Sequence, residues 1–132
     1  MTSATAVPGS RTRVLVVEDD SAIRALLRDF LELLGCAVQL AANGWEALEH
    51  LQQVRPDLVL LDFMMPIMDG PAMLKAIKAD PAYRNVPAVV MSSLPEGAVA
   101  EAARGLYAAF LRKPFKLAAV TNIVKTVLGQ HS

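Results

Sequence analysis

The feature that most restricts what this chain can fold into is a repeated alternation of short apolar runs with longer segments of helical periodicity. The short runs occupy residues 14–17, 37–40, 58–61, 88–91 and 108–111. Strands that alternate with helices are typical of βαβ units around a parallel sheet, and an unbroken apolar strand is typical of one covered on both faces. The pattern therefore predicts an α/β fold with five strands and five helices.

Apolar residues between these runs recur at the spacing of one helix face. In the first helical segment they are Ile23, Leu26, Leu27, Phe30, Leu31 and Leu34. Asp20 or Ser21 can cap the start of this helix, and Gly35 can end it in a left-handed turn. The later helices are expected at residues 45–54, 73–79, 98–104 and 117–128, of which the fourth is short.

Size and charge narrow the class of protein. A chain of 132 residues fits one domain, and we expect a flexible leader at residues 1–11 followed by the domain at 12–132. Lys and Arg number 13 and Asp and Glu number 13, so no basic surplus favours nucleic acid as a direct partner. Charged residues interrupt every apolar run before a membrane-spanning length, and the first residues lack the pattern of a secretory signal. We therefore expect a cytoplasmic protein with no membrane contact.

Polar side chains follow four of the five predicted strands. Glu18 and Asp19 follow the first, Asp62 the third, Ser92 the fourth and Lys113 the fifth. Ligands of open parallel sheets bind at the carboxyl ends of the strands, so these side chains are expected to converge. Three carboxylates beside one ammonium repel each other, and a hard divalent cation such as Mg²⁺ would offset that repulsion. The sequence thus predicts a site for a metal and a phosphate.

Each of these residues also has an ordinary structural interpretation. Glu18 and Asp19 lie where a helix cap is common, Asp62 could form a turn, and Ser92 could begin a helix. Lys113 could be a solvated surface lysine. These interpretations do not explain why all the polar residues lie at the same edge of the sheet, so a functional site is favoured.

Four motifs with their spacing, VLVVEDD, LVLLDFMMPIMDG, PAVVMSS and FLRKPF, resemble the receiver domain of two-component response regulators. The resemblance extends from about Arg13 to Gly129, which is nearly the whole chain. It implies a flavodoxin-like (βα)5 fold, in which a five-stranded parallel sheet of order 2-1-3-4-5 is the middle layer of a three-layer sandwich. It also implies a regulatory phosphoacceptor rather than an enzyme that turns over a substrate.

The resemblance implies a role for each residue at the carboxyl edge. Asp62 matches the aspartate that accepts a phosphoryl group from a histidine kinase or a histidine phosphotransfer protein. Glu18, Asp19, Asp62 and the backbone carbonyl of Met64 match the ligands of Mg²⁺, for which Mn²⁺ could substitute. Lys113 matches the lysine that pairs with the acceptor or the phosphate, and it precedes a cis peptide bond to Pro114.

The resemblance also implies a conformational switch. Ser92 moves toward the phosphoryl group, Phe110 turns inward, and the face formed by helix four, strand five and helix five changes for a downstream protein. Phe110 stands where tyrosine is frequent, so recognition there would rest on shape and apolar area. Met64 and Leu94 are apolar where they could shade the phosphoryl group from water, which favours a long phosphoryl lifetime.

Three other interpretations compete with the switch. The fold could serve as a phosphorylation-independent scaffold, although a scaffold need not retain Glu18, Asp19, Asp62, Ser92 and Lys113 together. A Mg²⁺-dependent phosphohydrolase would require an acid at the position of Met64. The chain could also be a receiver segment of a hybrid histidine kinase or of a longer regulator.

Overall fold

The computed structural model describes residues 11–65 and 67–131. Almost all of the predicted leader, at residues 1–10, lies outside these ranges, as does Pro66 of the motif LVLLDFMMPIMDG. The boundary between residues 1–11 and 12–132 therefore stays a prediction. The strands and helices follow one another in the order β1 Arg13–Val17, α1 Ser21–Leu33, β2 Ala37–Ala41, α2 Gly44–Gln53, β3 Leu58–Asp62, α3 Gly70–Ala79, β4 Ala88–Ser92, α4 Glu96–Ala103, β5 Ala109–Arg112 and α5 Leu117–His131.

The five strands form one parallel sheet in the order β2-β1-β3-β4-β5, which confirms the predicted topology. Every residue of β3 and β4 is buried, whereas the edge strands β2 and β5 are only partly covered. The unbroken apolar pattern of the central strands follows from this burial on both faces. Because β1 and β3 are neighbours, the residues that follow them end at one edge of the sheet.

Two apolar clusters cover the two faces of the sheet, which makes three layers. Successive side chains of a strand alternate between faces, so Leu61 belongs to one cluster and Leu60 to the other. Helices α2, α3 and α4 cover the first face, and α1 and α5 cover the second. Burial of each leucine of this kind contributes about 1.5 to 3 kcal/mol to folding. No described helix is both long and apolar enough to cross a bilayer.

Both ends of α1 lie where the sequence predicted a cap or a left-handed turn. The Asp20 side chain accepts hydrogen bonds from the backbone N–H groups of Ala22 at 2.9 Å and Ile23 at 3.0 Å, so Asp20 rather than Ser21 is the cap. Gly35 has φ of 88°, as expected for a left-handed turn after the helix. The turn between β1 and α1 is therefore held by local hydrogen bonds.

Most predicted boundaries differ from the observed ones by one to three residues, and three of them have a clear physical reason. Helix α3 begins at Gly70 rather than at residue 73, because the Asp69 side chain accepts a hydrogen bond from Ala72 N at 2.9 Å and extends the helix backwards. Helix α4 covers 96–103 rather than 98–104, because the Pro95 carbonyl accepts hydrogen bonds from Ala98 N at 3.0 Å and Val99 N at 3.4 Å and so begins the helix earlier. Strand β5 covers 109–112 rather than 108–111, because its pairing with β4 continues to Arg112 opposite Ser92.

Candidate functional site

The carboxyl edge of the sheet holds a compact group of carboxylates. One carboxylate oxygen each of Glu18, Asp19 and Asp62 lies within 4.8 Å of the others. Glu18 and Asp19 follow β1, and Asp62 ends the adjacent β3, so the strand order brings them together. Glu18 and Asp62 are buried, whereas Asp19 is exposed.

Lys113 supplies the positive charge of this group. Its Nζ donates a hydrogen bond to Glu18 Oε1 at 2.7 Å and lies 3.4 Å from Asp62 Oδ1. The other Glu18 oxygen accepts a hydrogen bond from Asp20 N at 3.2 Å. Strand alternation places Glu18, Asp62 and Lys113 on the side of the sheet covered by α1 and α5. Glu18 is thus the main anchor of the Lys113 ammonium.

Burial and neighbouring charge alter the protonation of this group. Burial, and then the nearby Glu18 carboxylate, raise the pKa of Asp62 to about 7, while Lys113 acts in the opposite direction. Burial disfavours the charged form of Lys113, but the Glu18 hydrogen bond and the Asp62 and Glu18 charges outweigh it and raise the pKa of Lys113. The site therefore holds more negative charge than one lysine can neutralise.

The donor set fits a hard divalent cation. Oxygen atoms of three carboxylates converge, and Mg²⁺ prefers oxygen ligands and takes one or two carboxylates directly. Met64 N donates to Asp62 Oδ1 at 3.3 Å, which holds the loop after β3 against the end of that strand. The Met64 side chain is 62% exposed. The role of its backbone carbonyl as a metal ligand stays a prediction.

The two residues of the predicted switch lie on the opposite side of the sheet from Glu18. Ser92 is buried at the end of β4, where its Oγ accepts a hydrogen bond from Leu94 N at 3.0 Å. Phe110 is half-buried in β5, opposite Val90, and packs against the cluster that includes α4. Because Val90 and Ser92 share one face of β4, Ser92 and Phe110 face the same helix layer.

Two further backbone features complete the site. The Lys113–Pro114 peptide bond is cis, as the resemblance implied, and Lys113 N donates to Ser92 O at 2.9 Å. Gly70 N donates to Phe63 O at 2.9 Å, and a Cβ atom at Gly70 would lie 2.8 Å from the Phe63 backbone. Asp69 and Gly70 thus close the loop that follows β3.

Sequence reasoning missed Arg24 of α1. Its Nη1 donates to the backbone oxygens of Glu18 at 2.8 Å and Asp19 at 3.3 Å. This contact places a guanidinium behind the acidic pair and fixes the backbone that carries it. The only signal in the sequence was an arginine one helical turn after the Asp20 cap, which is too common a pattern to indicate this contact.

The fold and the acidic edge of its sheet are typical of a regulatory α/β domain, and comparison with known families agrees. The sequence profile of the response regulator receiver domain matches residues 14–125. The chain therefore belongs to the receiver domain family of two-component response regulators.

Several curated relatives are longer regulators. The chain is 39% identical over 125 residues to the transcriptional regulatory protein PrrA of Mycobacterium leprae, a match that covers 92% of this chain and 52% of the relative. It is 36% identical over 123 residues to the response regulator MprA of Mycobacterium sp., covering 91% of this chain and 52% of the relative. The chain thus spans about half the length of these relatives. PrrA is named a transcriptional regulatory protein, so this comparison does not support our expectation that nucleic acid is no direct partner.

Solved structures of similar shape include isolated receivers. The Vibrio cholerae chemotaxis protein CheY4 superposes with a TM-score of 0.85 at 27% identity, covering 89% of this chain and 98% of that one. The receiver domain of a Pseudomonas aeruginosa sensor histidine kinase superposes with a TM-score of 0.83 at 28% identity, covering 90% of this chain and 98% of that one. That structure has a magnesium ion coordinated in its active-site cleft.

Proposed function

We propose that the chain is a phosphorylation switch in which Asp62 accepts a phosphoryl group from a phosphohistidine of a histidine kinase or phosphotransfer protein. The observation that carries this proposal is the placement of Asp62 between two acidic residues and Lys113, with its Oδ1 3.4 Å from Nζ. A structural aspartate would not need this surrounding charge. The family supports a regulatory role, and the residue assignments are our own.

The reaction is an in-line displacement at phosphorus. A carboxylate oxygen of Asp62 forms the new bond, and the bond from phosphorus to the donor imidazole nitrogen breaks, leaving its electron pair on that nitrogen. Lys113 is close enough to Asp62 to neutralise charge on the phosphoryl oxygens. The Ser92 hydroxyl accepts from Leu94 N, so its own hydrogen stays available for a phosphoryl oxygen.

Glu18, Asp19, Asp62 and the Met64 carbonyl would hold Mg²⁺, with Mn²⁺ as a substitute. When bound, the metal would neutralise the negative charge that develops on the oxygens of the transferred phosphoryl group. Arg24 positions this set, because it binds the carbonyls of both Glu18 and Asp19. Lys113 stays beside Glu18, so the same lysine balances the buried acid before transfer and the phosphate after it.

The output is a change in the face built from α4, β5 and α5. An aspartyl phosphate adds about 1.5 to 2 negative charges beside Asp62 and draws the Ser92 hydroxyl toward it. Phe110 lies on the same face of the sheet as Ser92 and is only half-buried, so space vacated near Ser92 would let the ring move inward. The altered face would then bind a downstream protein in the cytoplasm.

The decisive experiment is intact mass spectrometry after incubation with acetyl phosphate and Mg²⁺. We expect wild type to gain the mass of one phosphoryl group, and Asp62→Asn to gain none. Asp29→Asn is the matched control, because it removes a carboxylate from the exposed surface of α1. It should be modified as wild type is.

Chelation of the metal should abolish the gain in mass. A phosphohistidine donor protein replaces acetyl phosphate if the small donor reacts slowly. Modification of Asp62→Asn, or failure of wild type with both donors, would overturn the switch and favour the scaffold.

A second candidate is that the chain works as the receiver segment of a longer regulator or hybrid kinase. The coverage of about half of PrrA and MprA favours it. The test is the length of the natural protein, measured by immunoblot of the source cells with an antibody against residues 12–132. A band at the mass of this chain alone would exclude a longer product.

A further inference from the structure

A second polar cleft lies at the amino edge of the sheet, where β3, β4 and β5 begin. It has a volume of about 580 Å³, and its lining includes Arg55, Lys78, Arg84, Asn85 and Tyr107. Strands of five residues separate this edge from the carboxylates at the other by about 16 Å. The cleft is therefore distinct from the phosphoacceptor site.

All the charged residues that line this cleft are positive. Arg55, Lys78 and Arg84 line it, and no acidic residue does. In the part of the chain that the structure describes, none of these three side chains forms an ion pair with a carboxylate. The chain as a whole carries a formal net charge of +0, so this concentration of positive charge is local. Three neighbouring cations repel one another, and a bound anion would offset that repulsion.

Two of these cations are already held in place by the backbone. Arg55 Nε donates to Ala82 O at 3.2 Å, and Lys78 Nζ donates to Arg84 O at 3.0 Å. Each bond uses one hydrogen, so the Arg55 Nη groups and two hydrogens of the Lys78 ammonium stay available. Side chains that are ordered before binding lose less entropy when a ligand arrives.

The remaining wall is neutral and partly apolar. Tyr107 is half-buried, and burial, followed by the Glu96 charge, raises the pKa of its hydroxyl while Arg104 lowers it, so the ring is neutral at ordinary pH. The Asn85 amide offers both a donor and an acceptor, and buried Pro87 adds apolar surface. A cleft of this volume lies within the range of about 300 to 1,000 Å³ typical of small-molecule sites, which exceeds what a lone phosphate fills.

We propose that this cleft binds a phosphorylated small molecule of nucleotide size. Its phosphate groups contact Arg55, Lys78 and Arg84, because guanidinium and ammonium groups bind phosphate oxygens through charge-assisted hydrogen bonds. Its ring or sugar lies against Tyr107 and Asn85. Neither the family assignment nor the phosphoryl-transfer site accounts for these residues.

The test is a ¹H–¹⁵N NMR titration of the whole chain with ADP in EDTA, which keeps metal away from the carboxyl edge. We expect the amides of Asn85, Gly105 and Tyr107 to shift in a saturable manner, with a Kd of about 0.1 to 1 mM. Adenosine, which lacks phosphate, should produce no comparable shift. Asp62→Asn should bind ADP as wild type does, which separates this site from the proposed phosphoacceptor.

Three substitutions locate the interaction. Lys78→Gln and Arg84→Gln should each weaken ADP binding about tenfold or more, the loss expected for one charge-assisted hydrogen bond. Lys75→Gln is the matched control, because it removes the same charge from the exposed side of α3 outside the cleft. It should bind ADP within about twofold of wild type. Circular dichroism of each variant verifies folding.

Four results would overturn the proposal: no saturable shift at the cleft amides, equal weakening by Lys75→Gln and Lys78→Gln, equal binding of adenosine and ADP, or tighter binding of inorganic phosphate than of ADP. Tighter binding of a glutamate-rich peptide than of ADP would likewise replace the small molecule with an acidic protein segment.

Discussion

The centre of the sheet and the α4–β5 region differ in how strongly burial and helix capping stabilise them. All residues of β3 and β4 are buried, and α1 is capped by the Asp20 side chain, which accepts two backbone hydrogen bonds. Helix α4 has only eight residues and no side-chain cap, and β5 is a half-covered edge strand. Asp62 therefore lies on the strongly stabilised part of the molecule, and the proposed output face uses the part that the fewest packing and hydrogen-bond contacts stabilise.

The largest expected effect comes from replacing Gly70, which packs against the end of β3. Gly70→Ala places a Cβ 2.8 Å from the Phe63 backbone, which cannot move without disturbing the strand that carries Asp62. We expect a loss of about 3 kcal/mol in the free energy of unfolding, measured by urea denaturation. An unchanged urea midpoint would show that the loop after β3 is softer than its packing indicates.

The second test concerns the pKa of Asp62, at the end of the central strand β3. The folded pKa of Asp62 is about 7, above the unfolded value of 3.8, so the folded metal-free chain binds the extra proton between these values. Stability from this group is therefore present at low pH and is lost as pH rises through about 7. We expect the metal-free protein to be on the order of 2 kcal/mol more stable at pH 5 than at pH 8, by thermal or urea unfolding.

Asp62→Asn should flatten that pH profile and stabilise the metal-free chain at pH 8, because it removes a buried charge beside Glu18. Saturating Mg²⁺ should also stabilise wild type at pH 8. Asp29→Asn should leave the profile as in wild type, and a profile that survives Asp62→Asn would assign the dependence to another group.

The third test strengthens the loosely held region. Gly97 lies in α4, and a Cβ there meets no atom within 4 Å. Gly97→Ala should raise the free energy of unfolding by about 0.5 to 1 kcal/mol, because alanine favours helix more than glycine does. Hydrogen exchange should show the added protection in α4 amides, with the rate of Asp62 phosphorylation unchanged. Protection confined to β3 and β4 would contradict the comparison.

The smallest expected effect concerns the lifetime of the aspartyl phosphate. The Met64 side chain is 62% exposed, so it can cover the mouth of the site without being part of the core. Met64→Asn should speed hydrolysis a few-fold, about 0.5 to 1 kcal/mol, by admitting and orienting water. Loss of the phosphoryl group with time, followed by mass spectrometry, measures it. An unchanged rate would exclude shading by Met64.

Much of the fold follows from local pattern. The unbroken runs of β3 and β4 indicated buried parallel strands, and Asp20 and Gly35 marked the ends of α1. The start of α3 was misplaced because the Asp69 cap operates before the apolar periodicity begins. The start of α4 was misplaced because the apolar periodicity of this short helix is weak and does not indicate a helix start at Pro95.

The sequence by itself determined the order of elements and which polar residues lie near the ends of the strands, because both depend on spacing along the chain. Only the tertiary structure decided that Lys113 binds Glu18 at 2.7 Å, closer than Asp62 at 3.4 Å, and that Arg24 holds the backbone of the acidic pair. The cleft at the amino edge could not be predicted from the sequence either, because Arg55, Lys78 and Tyr107 lie in separate segments of the chain. Distances between segments depend on how strands and helices pack, and no local pattern records them.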